Sequence, residues 1–304
     1  MPALIAVWRY RGLHLPAVGD ADRVLVHAQI HVAAGERRRR RDCADRIQVL
    51  VECMHVAERQ LAGLAVATSR NPLNNLAGIP SEQRMRFDLE QPSTWLNIPV
   101  DADLIWCFPA TPLEQVQAFV RTLDAPPRRI VVLGSTSAYD APSQSTEYPP
   151  PWIDESAPIN LTKPRVQGEE FLRTNCGAVV LRVAGIYGPE RNPLDWIRQG
   201  RVGPSLKYVN LIHIEDLAAI CLAAIEKGTP GEVYNVSDGQ PHTWNEICGT
   251  AQQRWGMTAA VARDDHSPGK RISNAKLRSK LDYRFQHPNL YEALDFIQST
   301  RSKP

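Results

Sequence analysis

RIVVLGSTSAY, residues 129–139, contains an unbroken apolar run followed by a group of hydroxyl side chains. Residues 130–133 are apolar at consecutive positions, which is the pattern of a strand buried on both faces of a parallel sheet. Ser135 and Thr136 follow this run, and Tyr139 comes four residues after Ser135. The pattern predicts a buried strand over 129–133 that delivers hydroxyl groups to one edge of a sheet.

Strand and helix patterns alternate on both sides of this run. Further strands are predicted at residues 64–68, 84–89, 103–108, 178–183 and 231–236. Helices are predicted at residues 113–123, 165–174, 214–226 and 242–254, with two short helical patterns within 274–298. This alternation predicts an α/β fold with a doubly wound parallel sheet and right-handed crossovers.

The amino-terminal region has the period of a strand over 24–32 and of a helix over 44–61, but it lacks a glycine-rich turn between them. Residues 1–63 contain no G-x-G-x-x-G motif, and the loop offers Gly35 and the arginine run 37–41. The run is interpreted as a solvated helix start or as a phosphate-binding loop. A third interpretation is an out-of-frame segment, because arginine codons read one base later encode small and acidic residues.

Composition and charge exclude several classes of protein. The 304 residues include 35 basic and 33 acidic side chains, so the net charge of +2 gives no indication of binding to nucleic acid or to a membrane surface. No apolar run approaches the roughly 20 residues of a membrane helix, and the first residues do not form a signal peptide. The six cysteines include no C-x-x-C pair, and no histidine and glutamate cluster indicates a metal site. The sequence predicts a soluble, cytoplasmic globular protein.

The order of several motifs resembles that of the extended short-chain dehydrogenase/reductase family, and most of all its atypical NAD-dependent epimerase/dehydratase-like members. Besides RIVVLGSTSAY, the motifs are WIDESAP (152–158), LRVAGIYGPERNP (181–193), NLIHIEDLAAICLAAIE (210–226), GEVYNVSDGQPHTWNEI (231–247) and SNAKLRSKLDYRF (273–285). The resemblance implies a Rossmann sheet with a small carboxyl-terminal substrate lobe. It divides the chain into a divergent or out-of-frame first βα unit (1–63), a dinucleotide-binding core (64–188) and a lobe (189–304) with core-returning elements near 208–236.

The resemblance implies NADP or NAD as the cofactor, bound across the carboxyl ends of the strands. Arg70 follows the strand over 64–68, where a guanidinium pairs well with the 2′-phosphate of NADP, and Ser69 adds a hydrogen bond. Asp88 matches the family position that contacts the adenine. The segment flanking the adenine-side ribose matches Phe108, Pro109 and Ala110. Each residue also has a structural interpretation: a solvated arginine, a turn-capping aspartate and strand-end packing.

The catalytic pattern of the family, Ser/Thr with Y-x-x-x-K, is incomplete. Glu169, which usually comes four residues after the lysine, puts Arg165 at the lysine position and Leu161 at the tyrosine position. Leucine transfers no proton, and arginine binds a ribose or a phosphate but does not exchange its proton. Ser135 and Thr136 remain as the catalytic hydroxyl pair together with Arg165, and Ser135 is preferred.

The substrate side of the predicted cleft carries polar residues suited to an anionic ligand such as a nucleotide sugar. Tyr187, Arg191 and Asn192 are the predicted substrate residues, with packing against the lobe and surface exposure as the alternatives. Tyr139 and Tyr187 are the tyrosines that remain to replace the missing acid. His213 is interpreted as a satisfied core histidine.

Three functions stay open at this stage. The first is an NAD(P)-dependent oxidoreductase or epimerase acting on a nucleotide-sugar-like small molecule without the usual Tyr/Lys pair. The second is a catalytically silent NADP-binding sensor or interaction protein. The third is a defective product whose altered amino terminus abolishes cofactor binding. The resemblance leaves a homodimer open, since family members often pair through helices.

Overall fold

A computed structural model describes residues 5–10, 22–26, 63–64, 66–98, 102–123, 127–140, 147–259 and 267–301, with side chains from residue 66 onward. The predictions for the loop with Gly35 and the arginine run, for the helix over 44–61 and for an out-of-frame segment lie largely outside these residues. The backbone of three short strands before residue 66 is described, and it bears on the predicted first strand.

Strands and helices alternate along the described chain. The strands are β1 (Ile5–Tyr10), β2 (Asp22–Val26), β3 (Gly63–Leu64), β4 (Val66–Ser69), β5 (Arg84–Arg86), β6 (Asp103–Trp106), β7 (Arg129–Ser135), β8 (Trp152–Ile153), β9 (Val179–Val183), β10 (Gly185–Tyr187), β11 (Tyr208–Val209), β12 (Leu211–His213), β13 (Val233–Val236), β14 (His242–Thr243) and β15 (Arg271–Ile272). The helices are α1 (Pro72–Asn75), α2 (Leu113–Arg121), α3 (Pro164–Cys176), α4 (Pro193–Arg198), α5 (Ile214–Lys227), α6 (Trp244–Trp255), α7 (Ala275–Lys280) and α8 (Leu290–Arg301). Each strand and helix predicted from residue 64 onward is confirmed, with ends that differ by a few residues.

The large sheet has the strand order β13-β9-β7-β6-β1-β2-β3, and β4 and β5 continue from β1. The strand pairs β6–β7 and β4–β5 are parallel, with Leu104 opposite Ile130 and Ala67 opposite Arg84. The predicted α/β class and the parallel pairing of these strands are therefore confirmed.

β1 differs from the prediction. It lies between β4 and β6 and runs antiparallel to both, with Val7 opposite Val66 on one side and Leu104 on the other. The strand predicted over 24–32 is confirmed at residues 24–26, which belong to β2, and residues 27–32 lie outside the described ranges. The central position of the sheet is filled by β1, which was not predicted. Antiparallel strands can follow one another through a short connection, whereas a parallel pair needs a crossover of roughly a dozen residues.

β4, β5, β6 and β7 all point in one direction, since β1 is antiparallel to both β4 and β6. Their carboxyl ends therefore lie along one edge of the sheet, which we call the carboxyl edge. In open α/β sheets this is the edge at which ligands bind.

Helix ends follow local chemistry. α3 begins at Pro164, because the first residue of a helix needs no N–H group for an intrahelical hydrogen bond. It ends at Cys176, and the following Gly177 caps it with a left-handed φ of 64°. α6 begins after Thr243, and Thr243 and Glu246 form a reciprocal capping box. The prediction that Thr243 starts this helix is confirmed. No helix in the described ranges is both long and apolar enough to cross a membrane.

The chain divides into two compact units. The first unit comprises Met1–Gly134, Leu161–Leu181 and Leu217–Val233, and the second comprises Ser135–Asn160, Arg182–Asp216 and Tyr234–Pro304. In the first unit an aromatic cluster lies beside β6, and its edge-to-face rings are Phe87, Trp95, Trp106 and Phe119. The core of the second unit packs α4, α6 and α8 together through residues that include Leu194, Ile247, Leu290 and Leu294.

Candidate functional site

Ser69 and Arg70 lie at the carboxyl edge, where β4 ends. Ser69 is fully buried, and its Oγ accepts hydrogen bonds from Asn75 Nδ2 at 2.8 Å and from the Asn71 amide at 3.2 Å. The serine oxygen therefore holds the turn that follows the strand. Arg70 comes next, at a bend, and its side chain is partly exposed. Of the two predicted residues, Arg70 is the one that remains accessible to a ligand.

Asp88 follows β5 and is buried in a tight turn. Its carboxylate accepts a hydrogen bond from the Glu90 amide at 2.9 Å, and its carbonyl oxygen accepts one from Trp95 Nε1 at 2.9 Å. Thr94 Oγ1 accepts from the Asp88 amide at 2.8 Å. These are the contacts of a turn-capping aspartate, while its predicted role at the adenine stays a prediction.

The segment that follows β6 is buried against its own unit. The ring of Phe108 stacks on Trp106 at 4.5 Å between centroids, and Pro109 is buried beside it. Ala110 is fully buried, and a Cβ built on Gly168 of α3 would lie only 1.8 Å from its carbonyl oxygen. Only glycine lets α3 approach the end of β6 this closely. The side chains of this segment thus serve packing.

Arg165 is fixed over the end of β7. Its Nε donates to Glu169 Oε1 at 3.0 Å, and its Nη2 donates to the Leu133 carbonyl oxygen at 3.3 Å. Glu169 is buried, and a Cβ on Gly134 would lie 2.7 Å from its Oε2, so a larger residue at position 134 would have to displace this carboxylate. Leu161, one turn before Arg165, is exposed. The position that the sequence aligns with a catalytic lysine thus holds a guanidinium fixed by two hydrogen bonds, and a guanidinium releases no proton.

In the second unit, Ser135 and Thr136 begin a short 3₁₀ turn. Ser135 Oγ accepts a hydrogen bond from the Ser137 amide at 3.2 Å, which caps the turn. Lys270 Nζ donates to the Thr136 carbonyl oxygen at 3.0 Å and forms an ion pair with Asp140. An ammonium group therefore lies at the turn that carries the predicted catalytic hydroxyls.

The position of Lys270 is set by its backbone. Asn210 Nδ2 donates to the Lys270 carbonyl oxygen at 2.8 Å, and Asn210 Oδ1 accepts from the Ile272 amide at 2.8 Å. β15 also pairs with β8, with Arg271 opposite Trp152. Sequence reasoning missed Lys270, because it comes from a segment 134 residues after Thr136 and no local pattern marks it.

Tyr139 is locked in place by its hydroxyl. The hydroxyl donates to Asn235 Oδ1 at 2.7 Å and accepts from Arg182 Nη1 at 3.0 Å, while the Arg182 guanidinium lies 4.9 Å from the ring centroid. Burial raises the pKa of Tyr139, and the Arg182 hydrogen bond only partly opposes this. A proton-transferring tyrosine needs a lowered pKa, so this environment does not prepare Tyr139 to replace the missing acid.

The predicted substrate residues make packing contacts. Tyr187 is fully buried edge-on to His213 at 5.1 Å, and burial raises its pKa far above the ordinary value. Asn192 is fully buried and caps α4 by accepting from the Leu194 amide at 2.8 Å. Arg191 Nε donates to a backbone carbonyl at 2.7 Å. Tyr187 and Asn192 would contact a substrate only if the lobe core opened. This favours the packing alternative for Tyr187, whereas the burial of Asn192 contradicts the surface exposure that was its alternative.

His213 is a core histidine, as its sequence context indicates. It is buried, and desolvation lowers its pKa to about 4, with the neighbouring His287 adding to the effect. Asp216, in the first turn of α5, is fully buried and accepts hydrogen bonds from Tyr283 Oη at 2.8 Å and from the Gln286 amide at 2.7 Å. These contacts attach the segment before α8 to the start of α5.

Comparison with known proteins places the fold. No family model matches the chain. Protein YeeZ of Escherichia coli, in strains K12 and O157:H7, is 27% identical over 170 residues, which are 53% of this chain and 59% of YeeZ. The match thus spans less than two thirds of the length of the curated relatives.

Solved structures cover more of the chain. A short-chain dehydrogenase/reductase superfamily protein from Agrobacterium tumefaciens with bound NAD has a TM-score of 0.65 at 14% identity and covers 83% of this chain and 94% of that one. MoeE5 in complex with UDP-glucuronic acid and NAD has a TM-score of 0.63 at 16% identity, over 83% of this chain and 95% of MoeE5. The fold is therefore that of a Rossmann-type α/β protein. It is shared with these two NAD-bound structures, as the sequence predicts for the α/β class.

Proposed function

We propose that the chain is an NAD(P)-dependent oxidoreductase or epimerase of the extended short-chain dehydrogenase/reductase family, acting on a nucleotide-sugar-like substrate without the usual Tyr/Lys pair. The observation that carries the proposal is the placement of Arg70, Asp88 and Arg165 at the carboxyl ends of β4, β5 and β7. Ligands of open α/β sheets bind at these ends. Two proteins of the same fold are solved with NAD, and one of them also with UDP-glucuronic acid.

The described residues fit the two ends of a dinucleotide. Arg70 would bind the 2′-phosphate of NADP, because a planar guanidinium matches phosphate geometry. Arg165, held by Glu169, would bind the ribose in place of the usual lysine. β1 runs antiparallel to β4 and β6, so its carboxyl end lies at the opposite edge of the sheet from theirs.

The chemistry divides between cofactor and chain. A bound nicotinamide supplies hydride transfer. The Ser135 hydroxyl, whose oxygen accepts from the Ser137 amide, keeps its own hydrogen to donate to a substrate oxygen. Lys270 holds the turn that carries Ser135 through its bond to the Thr136 carbonyl oxygen. The proton that the usual tyrosine transfers would then have to come from the substrate side or from water.

Fluorescence titration of the full-length protein with NADPH and NADH tests the proposal. We expect the wild type to bind NADPH more tightly than NADH. Arg70→Ala should weaken the binding of NADPH by about 10- to 100-fold and leave the binding of NADH almost unchanged, because a hydrogen bond to a charged group contributes about 1.5–3 kcal/mol. Arg86→Ala is the matched control, since this arginine ends β5 and pairs with Gln91. Absence of binding by both cofactors would overturn the proposal and favour the third hypothesis, an altered amino terminus that prevents binding.

The second candidate is a catalytically silent NADP-binding sensor or interaction protein. It is favoured by the exposed Leu161 at the tyrosine position and by the raised pKa of Tyr139. If the wild type turns over nucleotide sugars and the rate falls in Ser135→Ala, the result supports the enzyme hypothesis. NADPH binding without turnover of any nucleotide sugar supports the sensor.

A further inference from the structure

We propose that His213, Glu215 and His287 form a binding site for a divalent transition-metal ion, with zinc as the ion that the donor set fits best. Each side chain offers one donor atom, and the three atoms lie within 4.8 Å of one another. Two imidazole nitrogens and one carboxylate oxygen are a known zinc donor set in proteins, with a fourth position left for water. The site belongs to the second unit and does not depend on cofactor binding at the carboxyl edge.

The fold brings the donors together from distant parts of the chain. His213 ends β12 and Glu215 lies in the first turn of α5, so the strand–helix junction places both. His287 comes from the segment between α7 and α8. The buried carboxylate of Asp216 accepts hydrogen bonds from the amides of Gln286 at 2.7 Å and His287 at 2.9 Å, which fixes the backbone that carries the third donor. No local spacing in the sequence shows this cluster, which is why the sequence predicted no metal site.

The distances are close to those of a metal centre. Glu215 Oε2 lies 2.8 Å from His287 Nε2, and the imidazole rings of His213 and His287 are 3.7 Å apart between centroids. Two donors on one tetrahedral zinc are about 3.3 Å apart, given metal–ligand distances of about 2.0–2.1 Å. The widest donor pair therefore has to close by at most about 1.5 Å. The Glu215 side chain is 41% exposed, so its carboxylate is free to change its position around an ion.

The polar surroundings suit a cation. The Glu215 amide donates to Nδ1 of His213 at 3.4 Å, which keeps this imidazole beside the first turn of α5. The positive end of α5 opposes a cation at this place. Two carboxylates, those of Glu215 and Asp216, offset it. Asp216 accepts from the His287 backbone amide, and such supporting contacts are typical around metal ligands.

A bound ion would link the segment before α8 to the start of α5. Because the unfolded chain does not hold the three donors together, zinc would bind the folded state preferentially and raise the melting temperature. This gives a measurement that does not depend on any enzymatic activity.

The test uses the full-length protein, freed of metal by a chelator, with zinc alone as the ligand. Calorimetric titration should show one zinc site. We expect Glu215→Gln and His287→Gln each to lower the zinc affinity by about tenfold to 100-fold or more, because loss of a residue that only supports a metal ligand already lowers the affinity by this factor. His242→Gln is the matched control, because His242 is a half-buried histidine of the same unit that packs against Tyr291. His287→Cys, which keeps a zinc ligand, should restore the affinity.

Cobalt provides a second readout. Substitution by cobalt should give visible absorption bands in the wild type and in His242→Gln, and these bands should be lost in His287→Gln. If zinc affinity and the zinc-dependent rise in melting temperature are the same in the wild type, Glu215→Gln and His287→Gln, the ion binds elsewhere and the proposal is overturned. Absence of zinc binding by the wild type overturns it as well.

Discussion

At the scale of single residues, two buried tyrosines differ in what their hydroxyl groups contact. The Tyr139 hydroxyl bonds to both Arg182 and Asn235, whereas the Tyr187 hydroxyl has no hydrogen-bond partner among the described residues. Tyr139→Phe should lower the free energy of unfolding by about 1–3 kcal/mol, because both partners lose a buried hydrogen bond. Tyr187→Phe should leave it unchanged or slightly higher. Urea unfolding of the two variants measures the change in the free energy of unfolding. Equal losses in both variants would show that the hydrogen bonds of the Tyr139 hydroxyl do not stabilise the fold.

Asp238 shows how burial sets a pH dependence. It is 7% exposed, and desolvation, with the nearby Asp216 adding to it, raises its pKa to about 7 from an ordinary 3.8. Its Oδ1 accepts from the Gln240 amide at 2.9 Å. Between these two pKa values the folded protein holds a proton that the unfolded chain releases. This contribution to stability is complete below about pH 4 and is lost as the pH rises to about 7.

Asp238→Asn should therefore be more stable than the wild type at pH 8, by roughly 2–4 kcal/mol, since one pKa unit corresponds to about 1.4 kcal/mol and asparagine imitates the protonated acid. The advantage should shrink steadily as the pH is lowered toward 4. Unfolding in urea at pH 4.5, 6 and 8 measures it. Asp154→Asn is the control, because hydrogen bonds from Ser156 lower the pKa of Asp154. A constant difference between Asp238→Asn and wild type at all three pH values would show that Asp238 is not the titrating group.

At the scale of elements, the contact of α3 with the end of β6 depends on Gly168. A methyl group there would lie 1.8 Å from the Ala110 carbonyl oxygen, so the helix would have to move. Gly168→Ala should lower the free energy of unfolding by about 1–3 kcal/mol or more. Gly249→Ala in α6 is the matched control, because its Cβ would meet nothing within 4 Å, and it should gain about 0.5–1 kcal/mol from helix propensity. Thermal unfolding compares the stability of the two variants. A similar loss of stability in both would show that the contact of Gly168 with Ala110 does not require glycine.

Helices whose apolar residues repeat at regular spacing over several turns were predictable from the sequence. The predictions for α2, α5 and α6 rest on apolar residues at helical spacing or on a capping residue such as Thr243, and these signals are local. The short strands β8, β10, β11, β14 and β15 were missed, because two or three residues carry no readable period, whereas β12 was expected only from the resemblance of residues 210–226 to a strand and helix of the family. Their pairing comes from the packing of the second unit.

The candidate site was predictable in part for the same reason. The spacing of Arg165 and Glu169 is one helical turn, so the guanidinium at the lysine position was visible in the sequence. Lys270 and His287 were not visible, because their partners Thr136 and Glu215 are 134 and 72 residues away. Burial also decided the outcome for Tyr187, whose polar character alone suggested a substrate contact.

At the scale of the whole molecule, β1 decides how the large sheet is completed. It pairs on both sides, so a proline at its centre would remove a backbone donor from the interior of the sheet. Val7→Pro should lower the free energy of unfolding by about 3 kcal/mol or more. Val7→Ala, which keeps the N–H group, is the control and should cost less. Urea unfolding measures both, and equal effects would show that residues 5–10 do not complete the sheet.

The sequence by itself determined the α/β class, the order of strands and helices after residue 64 and the arginine at the lysine position, because periodicity and spacing are local properties of the chain. Tertiary structure decided the direction of β1, the burial of Tyr187 and Asn192, and the placement of Lys270 and His287. These features depend on pairing and packing between segments far apart in sequence. Such contacts form only when the whole chain competes for the same buried positions, and no local pattern records the result.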